Sequence, residues 1–408
     1  MRFLFNHLQA TLPTNNGGRL RVWSILRALA AEGHEIHLVM FAESEEIKPY
    51  RTQLDTACRE VIAIPLKITN WSTGTNYLGR LRGLMSPTPF GASRFRSTVA
   101  AECIASMAAR EKYDAIMIET AYGMVNRPEF SASPIILVDQ NIEHTVVKRY
   151  VETERNPVRR AYAWLEWQKL ERWERQVSGA CAQVWVCSEV DRRALREMCP
   201  QTAAPVIPNV VDVETYVSAA QGDGRTLLYV GGLDYLPNRD AVEFFTNRIL
   251  PELRELAHNF RFAVAYSPEH AGVSAFRNRF EGTPEVEFVE ARDIREQIGE
   301  AAIFVVPLRI GSGTRFKILE AAASAKAIVS TRVGAEGLDF VDGTEIILED
   351  DPLAFAQAVA ALLADEARRS AMGAAARRRV EQQYDFAALR KAVTAALGAL
   401  KHPAGARV

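Results

Sequence analysis

The sequence predicts an α/β protein made of two doubly wound, Rossmann-like domains. With 408 residues, the chain is longer than a single hydrophobic core usually serves. Short apolar segments alternate with helical patterns along the first half, and a second alternation begins after a proline-containing stretch at 203–212. Each alternation is typical of a parallel sheet with helices on both faces, so we expect two domains facing each other across a cleft. Ligands of such sheets bind at the carboxyl ends of the strands.

The first half contains six apolar runs that predict strands, together with helical patterns at 20–32 and 95–111. Gly33 follows the first helical pattern and is the residue type that commonly ends a helix. The predicted strands are 3–6, 36–41, 61–65, 115–119, 135–138 and 184–187.

The second half repeats this pattern, with helices predicted at 241–256, 354–365 and 387–400. Its predicted strands are 226–230, 262–265, 286–289, 303–307, 327–331 and 345–348. We therefore expect a first domain over 1–205 and a second domain over 206–385.

Composition narrows the function classes. The formal net charge is −1, so no global attraction to nucleic acid is expected. No apolar run reaches the roughly 18 residues of a membrane-spanning helix, and the apolar run at 1–6 is too short for a signal peptide. The five cysteines are scattered without a CxxC pair. This pattern favours buried thiols in a cytoplasmic protein and no structural zinc.

The most informative segment lies at 308–323 and reads LRIGSGTRFKILEAAA. A buried strand leads into small residues, and a helix pattern with Arg315 and Lys317 in its first turn follows. Cations are unfavourable at a helix N-terminus, so an anion is expected among them, and phosphate suits the exposed N–H groups there. Glu320 lies on the same helix face and can accept hydrogen bonds from sugar hydroxyls. The small residues of the loop are Gly311, Ser312, Gly313 and Thr314.

This pattern predicts a nucleotide-sugar site, with cations for a diphosphate and a carboxylate for a ribose. The alternative is an exposed basic face in which Arg315 and Lys317 pair with Glu320 at helical spacing.

A second glycine loop follows the first predicted strand. Gly17 and Gly18 precede a helix that opens with Arg19 and Arg21. The loop resembles the later one and predicts a further contact with substrate; the alternative is a simple turn with solvated arginines. His7 also follows the first strand and is a weaker candidate for the site.

Four segments together resemble glycosyltransferases of the GT-B fold, specifically the large retaining family 4. The resemblance covers most of the chain and is strongest between 206 and 338. The segments are VIPNVVD (206–212), YVGGLDYLPNRDAVEFF (229–245), FVVPLRIGSGTRFKILEAAA (304–323) and STRVGAEGLDF (330–340).

The resemblance implies a role for each matching residue. Glu320 matches a carboxylate that contacts the donor ribose, and the loop 311–314 matches the loop beside the donor sugar and diphosphate. Gly231 and Gly232 match the turn that opens the second domain onto the phosphates. Gly17 and Gly18 match the glycine loop of the first domain, and 386–408 matches a final helix that crosses back onto that domain.

The sequence departs from the family pattern at three places. Ser312 stands where many members have an earlier glutamate, and 232–238 lacks the Arg and Lys that many members place there. Arg315 and Lys317 are the natural substitutes as diphosphate cations. Gln140 stands in the place of the family histidine, and His144 is a nearby candidate for a catalytic role.

The residues and the resemblance together predict a reaction that moves a sugar from a nucleoside diphosphate to an acceptor hydroxyl, and the resemblance to a retaining family implies that the reaction proceeds with retention. The catalytic candidates are Arg315, Lys317, Glu320 and His144. No metal and no resident cofactor are expected, because side-chain cations can stabilise the departing diphosphate and no acidic cluster of DxD type stands out. A glycan or lipid-linked acceptor, in envelope or exopolysaccharide synthesis, is a plausible extension.

A helix predicted at 158–177 is a candidate for docking to a membrane surface. It carries Trp164, Trp167 and Trp173 among arginines, a combination found at membrane surfaces. Packing of the tryptophans onto the domain is the favoured alternative, since three glutamates dilute the positive charge.

Two other functions compete with glycosyl transfer. Gly311 and Gly313 resemble the start of the GxGxxG motif of dinucleotide-dependent oxidoreductases, although Phe316 stands at the third glycine. A non-catalytic nucleotide-sugar or glycan-binding protein of the same fold also remains open.

Overall fold

A computed structural model describes residues 1–66, 86–128, 132–154, 156–216, 222–266, 273–291, 293–311 and 313–401. The chain divides into two compact units. Unit 1 is Met1–Asn209 with Leu389–Val408, and unit 2 is Val210–Ala388.

Unit 1 contains a six-stranded parallel sheet with the strand order β3-β2-β1-β4-β5-β6. The strands are β1 Arg2–His7, β2 Glu35–Phe41, β3 Glu60–Ile64, β4 Ala115–Glu119, β5 Ile135–Val138 and β6 Gln183–Trp185. The central strand β4 is buried along its whole length, as expected for a parallel sheet covered on both faces.

The helices of unit 1 fall between these strands. They are α1 Gly17–Ala31, α2 Ser44–Ile47, α3 Arg51–Asp55, α4 Phe90–Ser93, α5 Thr98–Arg110, α6 Thr120–Gly123, α7 Glu143–Thr153, α8 Pro157–Gly179 and α9 Glu189–Met198. Helix α1 begins three residues earlier than predicted, because the side chain of Asn16 accepts a hydrogen bond from the Arg19 N–H and caps the helix there.

Unit 2 contains a second six-stranded parallel sheet, with the order β12-β11-β10-β7-β8-β9. Its strands are β7 Thr226–Val230, β8 Arg261–Tyr266, β9 Val286–Glu290, β10 Ile303–Val306, β11 Ala327–Ser330 and β12 Ile347–Leu348. Its helices are α10 Leu236–Phe244, α11 Leu250–Leu256, α12 Val273–Arg277, α13 Ile294–Glu300, α14 Phe316–Ala323, α15 Pro352–Ala364 and α16 Glu366–Gln383. The last helix, α17, spans Phe386–Lys401.

The helix predicted at 241–256 is divided in the structure. Helices α10 and α11 are separated by a π-helical turn at Phe245–Ile249. This turn carries Phe245 into the core, where its ring stacks on Phe262 with centroids 4.0 Å apart.

From Leu389 onward, α17 belongs to unit 1. Gln183 of β6 donates a hydrogen bond to the Ala396 carbonyl at 2.8 Å, and Arg390 pairs with Glu32 of α1 at 2.7 Å. The predicted fold class, an α/β protein with two parallel sheets, is confirmed.

Candidate functional site

The glycine turn after β7 and the start of α14 are joined by one hydrogen-bonded cluster in unit 2. The Lys317 ammonium donates to the Tyr229 hydroxyl and to Asn238 Oδ1, both at 3.1 Å. Tyr229 donates to the same Asn238 oxygen at 2.7 Å, and Asn238 Nδ2 donates to the Gly232 carbonyl at 2.9 Å. The structure therefore brings the Gly231–Gly232 turn together with Lys317 through Asn238.

The environment of Lys317 disfavours its charge. Burial and, after it, the charge of Arg315 lower the pKa of Lys317 to about 7, although the charge of Glu320 acts in the opposite direction. The ammonium also lies 4.4 Å from the centroid of the Tyr229 ring. The alternative prediction of an exposed basic face is wrong for Lys317, which is half-buried and bonded to neutral groups.

Arg315 precedes the helix instead of lying in its first turn, since α14 begins at Phe316 and Arg315 is the N-cap residue. Its guanidinium lies against Gly311, where a Cβ atom would stand 2.5 Å from Nη2. Gly311 and Gly313 have φ angles of +131° and +77°, which favour glycine. The loop is thus shaped so that an arginine folds over it, beside Lys317 on α14.

Glu320 lies one turn further along α14. Its Oε1 accepts a hydrogen bond from the Tyr216 hydroxyl at 3.0 Å. Burial raises the pKa of Glu320, while the Tyr216 hydrogen bond and the charge of Lys317 lower it. Tyr216 is itself held by Arg377, which donates to its carbonyl at 2.9 Å. Glu320 is therefore fixed, with Oε2 as the oxygen that Tyr216 does not contact.

The remaining predicted residues of the late loop are Ser312, Gly313 and Thr314. Gly313 is buried and Thr314 half-buried between β10 and α14. Ser312 lies outside the described residues.

The first glycine loop stands beside a buried carboxylate of unit 1. Gly17 opens α1, and a Cβ atom on Gly18 would lie 2.9 Å from Gln9 Nε2. Gln140 donates from Nε2 to the Gly18 carbonyl at 3.4 Å and to Glu119 Oε1 at 3.0 Å. Both of these partners are acceptors, so the amide nitrogen of Gln140 faces them and its oxygen faces away.

Glu119 ends β4 and is buried. It also accepts a hydrogen bond from the Leu8 N–H at 2.8 Å and lies 3.2 Å from His7 Nε2. Burial raises the pKa of Glu119, but the charge and hydrogen bond of His7 and the bonds from Leu8 and Gln140 outweigh it, so the pKa is lowered overall. His7 is fully buried between Glu119 and Thr11, so its side chain packs inside unit 1 instead of lying in an exposed loop.

The arginines of the first loop are engaged within unit 1. Arg21 is buried and donates to the carbonyls of Asp139 and Ile207, at 3.1 and 2.7 Å. Arg19 pairs with Glu46 at 2.9 Å. Arg21 therefore links α1 to the residue after β5 and to the segment near Asn209 that ends the first part of unit 1. The alternative predicted from the sequence, a solvated arginine, is wrong for Arg21.

His144 lies in the first turn of α7. Glu174 of α8 accepts hydrogen bonds from the backbone N–H groups of Glu143 and His144, at 2.7 and 2.8 Å, and lies 2.7 Å from His144 Nδ1. The carboxylate caps the helix and orients the imidazole. Burial, with the charge of Glu174 next, raises the pKa of Glu143 to about 8.

One group of possible metal ligands occurs among the described residues, namely Glu35, His37 and Glu111. Arg2 already bridges the two carboxylates, 3.0 Å from Glu35 and 2.9 Å from Glu111. Tyr113 lies 2.7 Å from His37 Nδ1. These polar contacts account for the group without a metal ion.

The tryptophans of α8 have three different environments. Trp173 donates to the Ala121 carbonyl at 2.8 Å and packs on the core. Trp167 is half-buried with the Lys148 ammonium 5.7 Å from its ring centroid, whereas Trp164 is 49% exposed. In the part of the chain that the structure describes, we find no helix with the length and apolarity that a membrane crossing needs.

Several residues of these clusters were not predicted as site residues. Tyr229 and Asn238 lie within a segment that the resemblance covers, but nothing in their spacing indicates that they meet Lys317, 79 residues beyond Asn238 in the chain. Tyr216 and Glu174 likewise come from distant positions. A hydrogen-bonded asparagine six residues after a glycine turn has no signature in a single sequence.

Two family models match the chain, one in each half. Residues 224–365 match the model described as Glycosyl transferases group 1, and residues 15–215 match the model described as Glycosyltransferase Family 4. A protein of Klebsiella pneumoniae, called an uncharacterized 44.6 kDa protein in the cps region, is 19% identical over 357 residues, covering 85% of this chain and 86% of that protein.

Several solved structures share the fold. Sucrose-phosphate synthase from Thermosynechococcus elongatus has a TM-score of 0.69 at 18% identity, covering 98% of this chain and 99% of that chain. A glycosyltransferase from Rickettsia africae has a TM-score of 0.65 at 12% identity, covering 99% of both chains. HepE from Anabaena in complex with UDP-glucose has a TM-score of 0.64 at 12% identity, covering 98% of this chain and 100% of that chain.

Proposed function

We propose that this chain, a glycosyltransferase with the GT-B fold, moves a sugar from a nucleoside diphosphate sugar to an acceptor hydroxyl with retention of configuration. The observation that carries the proposal is the cluster in unit 2, where Lys317 and Arg315 stand at the start of α14 and Lys317 meets the Gly231–Gly232 turn through Asn238. Negative charge develops on the diphosphate as the sugar departs. Fixed cations and helix N–H groups stabilise that charge.

Each residue of the cluster has a proposed role. Lys317 and Arg315 bind the diphosphate, and the backbone of Gly311, Gly313 and Thr314 contacts the donor sugar and its phosphates. For Ser312, which lies outside the described residues, we keep the contact with the donor that the resemblance implies. Glu320 accepts hydrogen bonds from the ribose hydroxyls. The oriented carboxylate suits this role, because Tyr216 fixes Oε1 and, among the described residues, leaves Oε2 to accept from a diol.

The donor is a substrate, and we propose no resident cofactor and no metal. Two cations close to the leaving group supply the charge that a divalent ion would otherwise supply. HepE, which shares the fold, was solved in complex with UDP-glucose, and a uridine donor is therefore the first to test here.

In unit 1 we assign the acceptor side to the first glycine loop and the residues behind it. Gly17 and Gly18 allow close approach of a substrate to the backbone. The amide oxygen of Gln140 faces away from Glu119 and can accept a hydrogen bond from a sugar hydroxyl. His144, oriented by Glu174, is the proposed proton carrier of this side.

The acceptor that we propose is a glycan or a lipid-linked glycan of envelope or exopolysaccharide synthesis. The name of the Klebsiella relative places that protein in a cps region, which favours this class. A lipid-linked acceptor would suit peripheral contact with a membrane from the cytoplasmic side, where Val158, Trp164 and Leu165 of α8 expose 76%, 49% and 42% of their surface beside Arg159 and Arg160.

Binding measurements test the donor assignment. A thermal-shift screen with UDP, GDP and ADP identifies the base, and calorimetry then measures the variants Arg315→Ala and Lys317→Ala. Each is expected to weaken binding about 10- to 100-fold, the usual loss of a charged hydrogen bond. Arg254→Ala, which removes an exposed arginine near the end of α11 in the same unit, is the control and should bind normally. Unchanged affinity in both test variants refutes the assignment.

Comparison of two ligands tests the role of Glu320. Glu320→Ala should weaken the nucleoside diphosphate while pyrophosphate affinity stays nearly the same, because only the nucleotide carries a ribose. An equal loss for both ligands speaks against ribose recognition.

Product analysis tests the reaction itself. The anomeric configuration of the product, measured by NMR after incubation with the matching sugar nucleotide and an acceptor, should equal that of the donor; inversion overturns retention. Donor binding with neither transfer nor hydrolysis favours a non-catalytic binding protein, and binding of a nicotinamide dinucleotide without UDP, GDP or ADP favours an oxidoreductase.

A further inference from the structure

We infer that Asn238 is a positioning residue for the diphosphate site, holding the Lys317 ammonium against the Gly231–Gly232 turn. The inference rests on the proposed function, which gives Lys317 the diphosphate. Asn238 itself is not assigned a contact with the substrate.

The hydrogen bonds of Asn238 fix its amide in one orientation. Its Oδ1 faces Lys317, which in its protonated form can only donate hydrogen bonds, and its Nδ2 faces the Gly232 carbonyl, which only accepts. A flipped amide would lose both bonds. Tyr229, fully buried on β7, donates to the same oxygen. The side chain is thus held by three elements, namely β7, the glycine turn and α14.

The glycine turn is shaped around this side chain. A Cβ atom on Gly231 would lie 2.7 Å from Asn238 Cγ and 2.9 Å from Nδ2, too close for any other residue unless the asparagine moved. Asn238 lies in the first turn of α10, and its own N–H donates to the Tyr235 carbonyl at 3.1 Å. Its position is therefore set by the backbone of α10, and Lys317 takes its position from Asn238.

A protonated Lys317 has three hydrogens, and two of them are donated to Tyr229 and Asn238. Among the described residues this leaves the third hydrogen for a phosphate oxygen. Without Asn238 the flexible stem of Lys317 would be free to take other rotamers. The loss on removing Asn238 is therefore a loss of the lysine's contribution, and it should vanish when the lysine is already absent.

A double-mutant cycle tests that dependence. Wild type, Asn238→Ala, Lys317→Ala and the double variant are titrated calorimetrically with whichever of UDP, GDP and ADP binds wild type. Asn238→Ala is expected to weaken binding about tenfold, and the double variant should bind no more weakly than Lys317→Ala alone. Asn278→Ala, an exposed asparagine of the same unit, is the control and should bind as wild type does.

Two more variants keep the test decisive if Asn238→Ala folds poorly. Tyr229→Phe removes one hydroxyl from the cluster and should weaken binding about threefold, again only when Lys317 is present. Asn238→Asp places a carboxylate beside the ammonium, which should raise the pKa of Lys317 and move the pH above which binding weakens upward by at least about one unit. The equivalent change at the exposed position, Asn278→Asp, should leave that pH unchanged.

The charged and titratable groups that face Lys317 are Arg315 and Glu320 on α14 and Tyr229 on β7, with Asp240 of α10 acting on Tyr229. None of these groups is replaced in the Asn238 variants, and the carboxylate that Asn238→Asp adds ordinarily titrates at about pH 3.9. A shift of the alkaline limit of binding therefore reports on Lys317.

The outcomes separate the two proposals. If wild type binds none of the three nucleotides, the proposed function fails and this inference fails with it. If Lys317→Ala weakens binding while the losses at Asn238 and Lys317 simply add, the donor assignment stands and the positioning role is overturned. An unchanged pH profile in Asn238→Asp also overturns it.

Discussion

Binding of a nucleoside diphosphate should be coupled to the uptake of one proton from solution, and Lys317 should be the group that accepts this proton. Burial and Arg315 lower the pKa of Lys317 to about 7 in the free protein. A diphosphate beside the ammonium supplies the missing negative charge and should return the pKa toward the ordinary value of 10.5. At about pH 8, one unit above the free pKa, roughly one tenth of Lys317 is protonated before binding and nearly all of it afterwards. The expected uptake is therefore about 0.9 proton per nucleotide.

Calorimetry in buffers with different ionisation enthalpies measures this number directly. At about pH 8 the terminal phosphate of the nucleotide, with a pKa near 6, is already deprotonated and contributes little. Tris and HEPES are suitable buffers, since phosphate would compete for the site. Over the alkaline range the Kd should rise about tenfold per pH unit above the free pKa of Lys317. In Lys317→Met the uptake should disappear. Tight binding by wild type with no proton uptake would refute the reasoning.

Three further predictions concern stability, each measured by chemical or thermal unfolding. Lys317→Met should stabilise the ligand-free protein by about 1–2 kcal/mol at neutral pH, because the folded-state pKa of Lys317 lies below its unfolded value. The free energy of unfolding that the charged lysine costs is lost in full below about pH 7, and this loss fades as the pH rises toward 10.5. A stabilisation by Lys317→Met that grew with pH would contradict this. Gly231→Ala should cost about 1–3 kcal/mol through the clash with the neighbouring amide, whereas Gly398→Ala, in a helix with open space around it, should gain about 0.5–1 kcal/mol; equal effects would count against the crowding. Glu174→Ala should lower the free energy of unfolding by about 1–2 kcal/mol by uncapping α7. Its control is Glu171→Ala, which breaks a partly exposed ion pair on α8, the helix that also carries Glu174, and should change stability by no more than about 0.5 kcal/mol. A Glu174 variant as stable as this control would show that the cap contributes nothing.

The order and type of the elements could be predicted from the sequence because buried parallel strands are continuous apolar runs. The strands predicted at 115–119, 135–138 and 226–230 have the same bounds in the structure. Local rules fail where tertiary contacts intervene. The π-helical turn at Phe245–Ile249 has no sequence signal, since it serves the packing of one ring on another strand.

The sequence predicts only those parts of the candidate site whose residues lie close together along the chain. Arg315, Lys317 and Glu320 lie on or beside one helix, and their spacing places them together. Asn238 comes from the first turn of another helix, α10, so its bond to Lys317 depends on how β7 and β10 pair in the sheet. The same limit applies to Glu174, whose capping of α7 depends on the packing of two helices.

The starts of two helices differ in a way that supports the proposed anion site at α14. At α7 the protein's own carboxylate, Glu174, accepts the free N–H groups, so the positive end of that helix is already neutralised. At α14 the first turn contains no acidic residue, and the chain adds Arg315 and Lys317 to the positive end. This arrangement costs stability, because it desolvates a lysine and opposes the helix dipole, and a fold selected for stability alone would replace the lysine with a neutral side chain. The diphosphate that we propose as ligand would remove this cost, since its charge would satisfy the helix end and both cations at once.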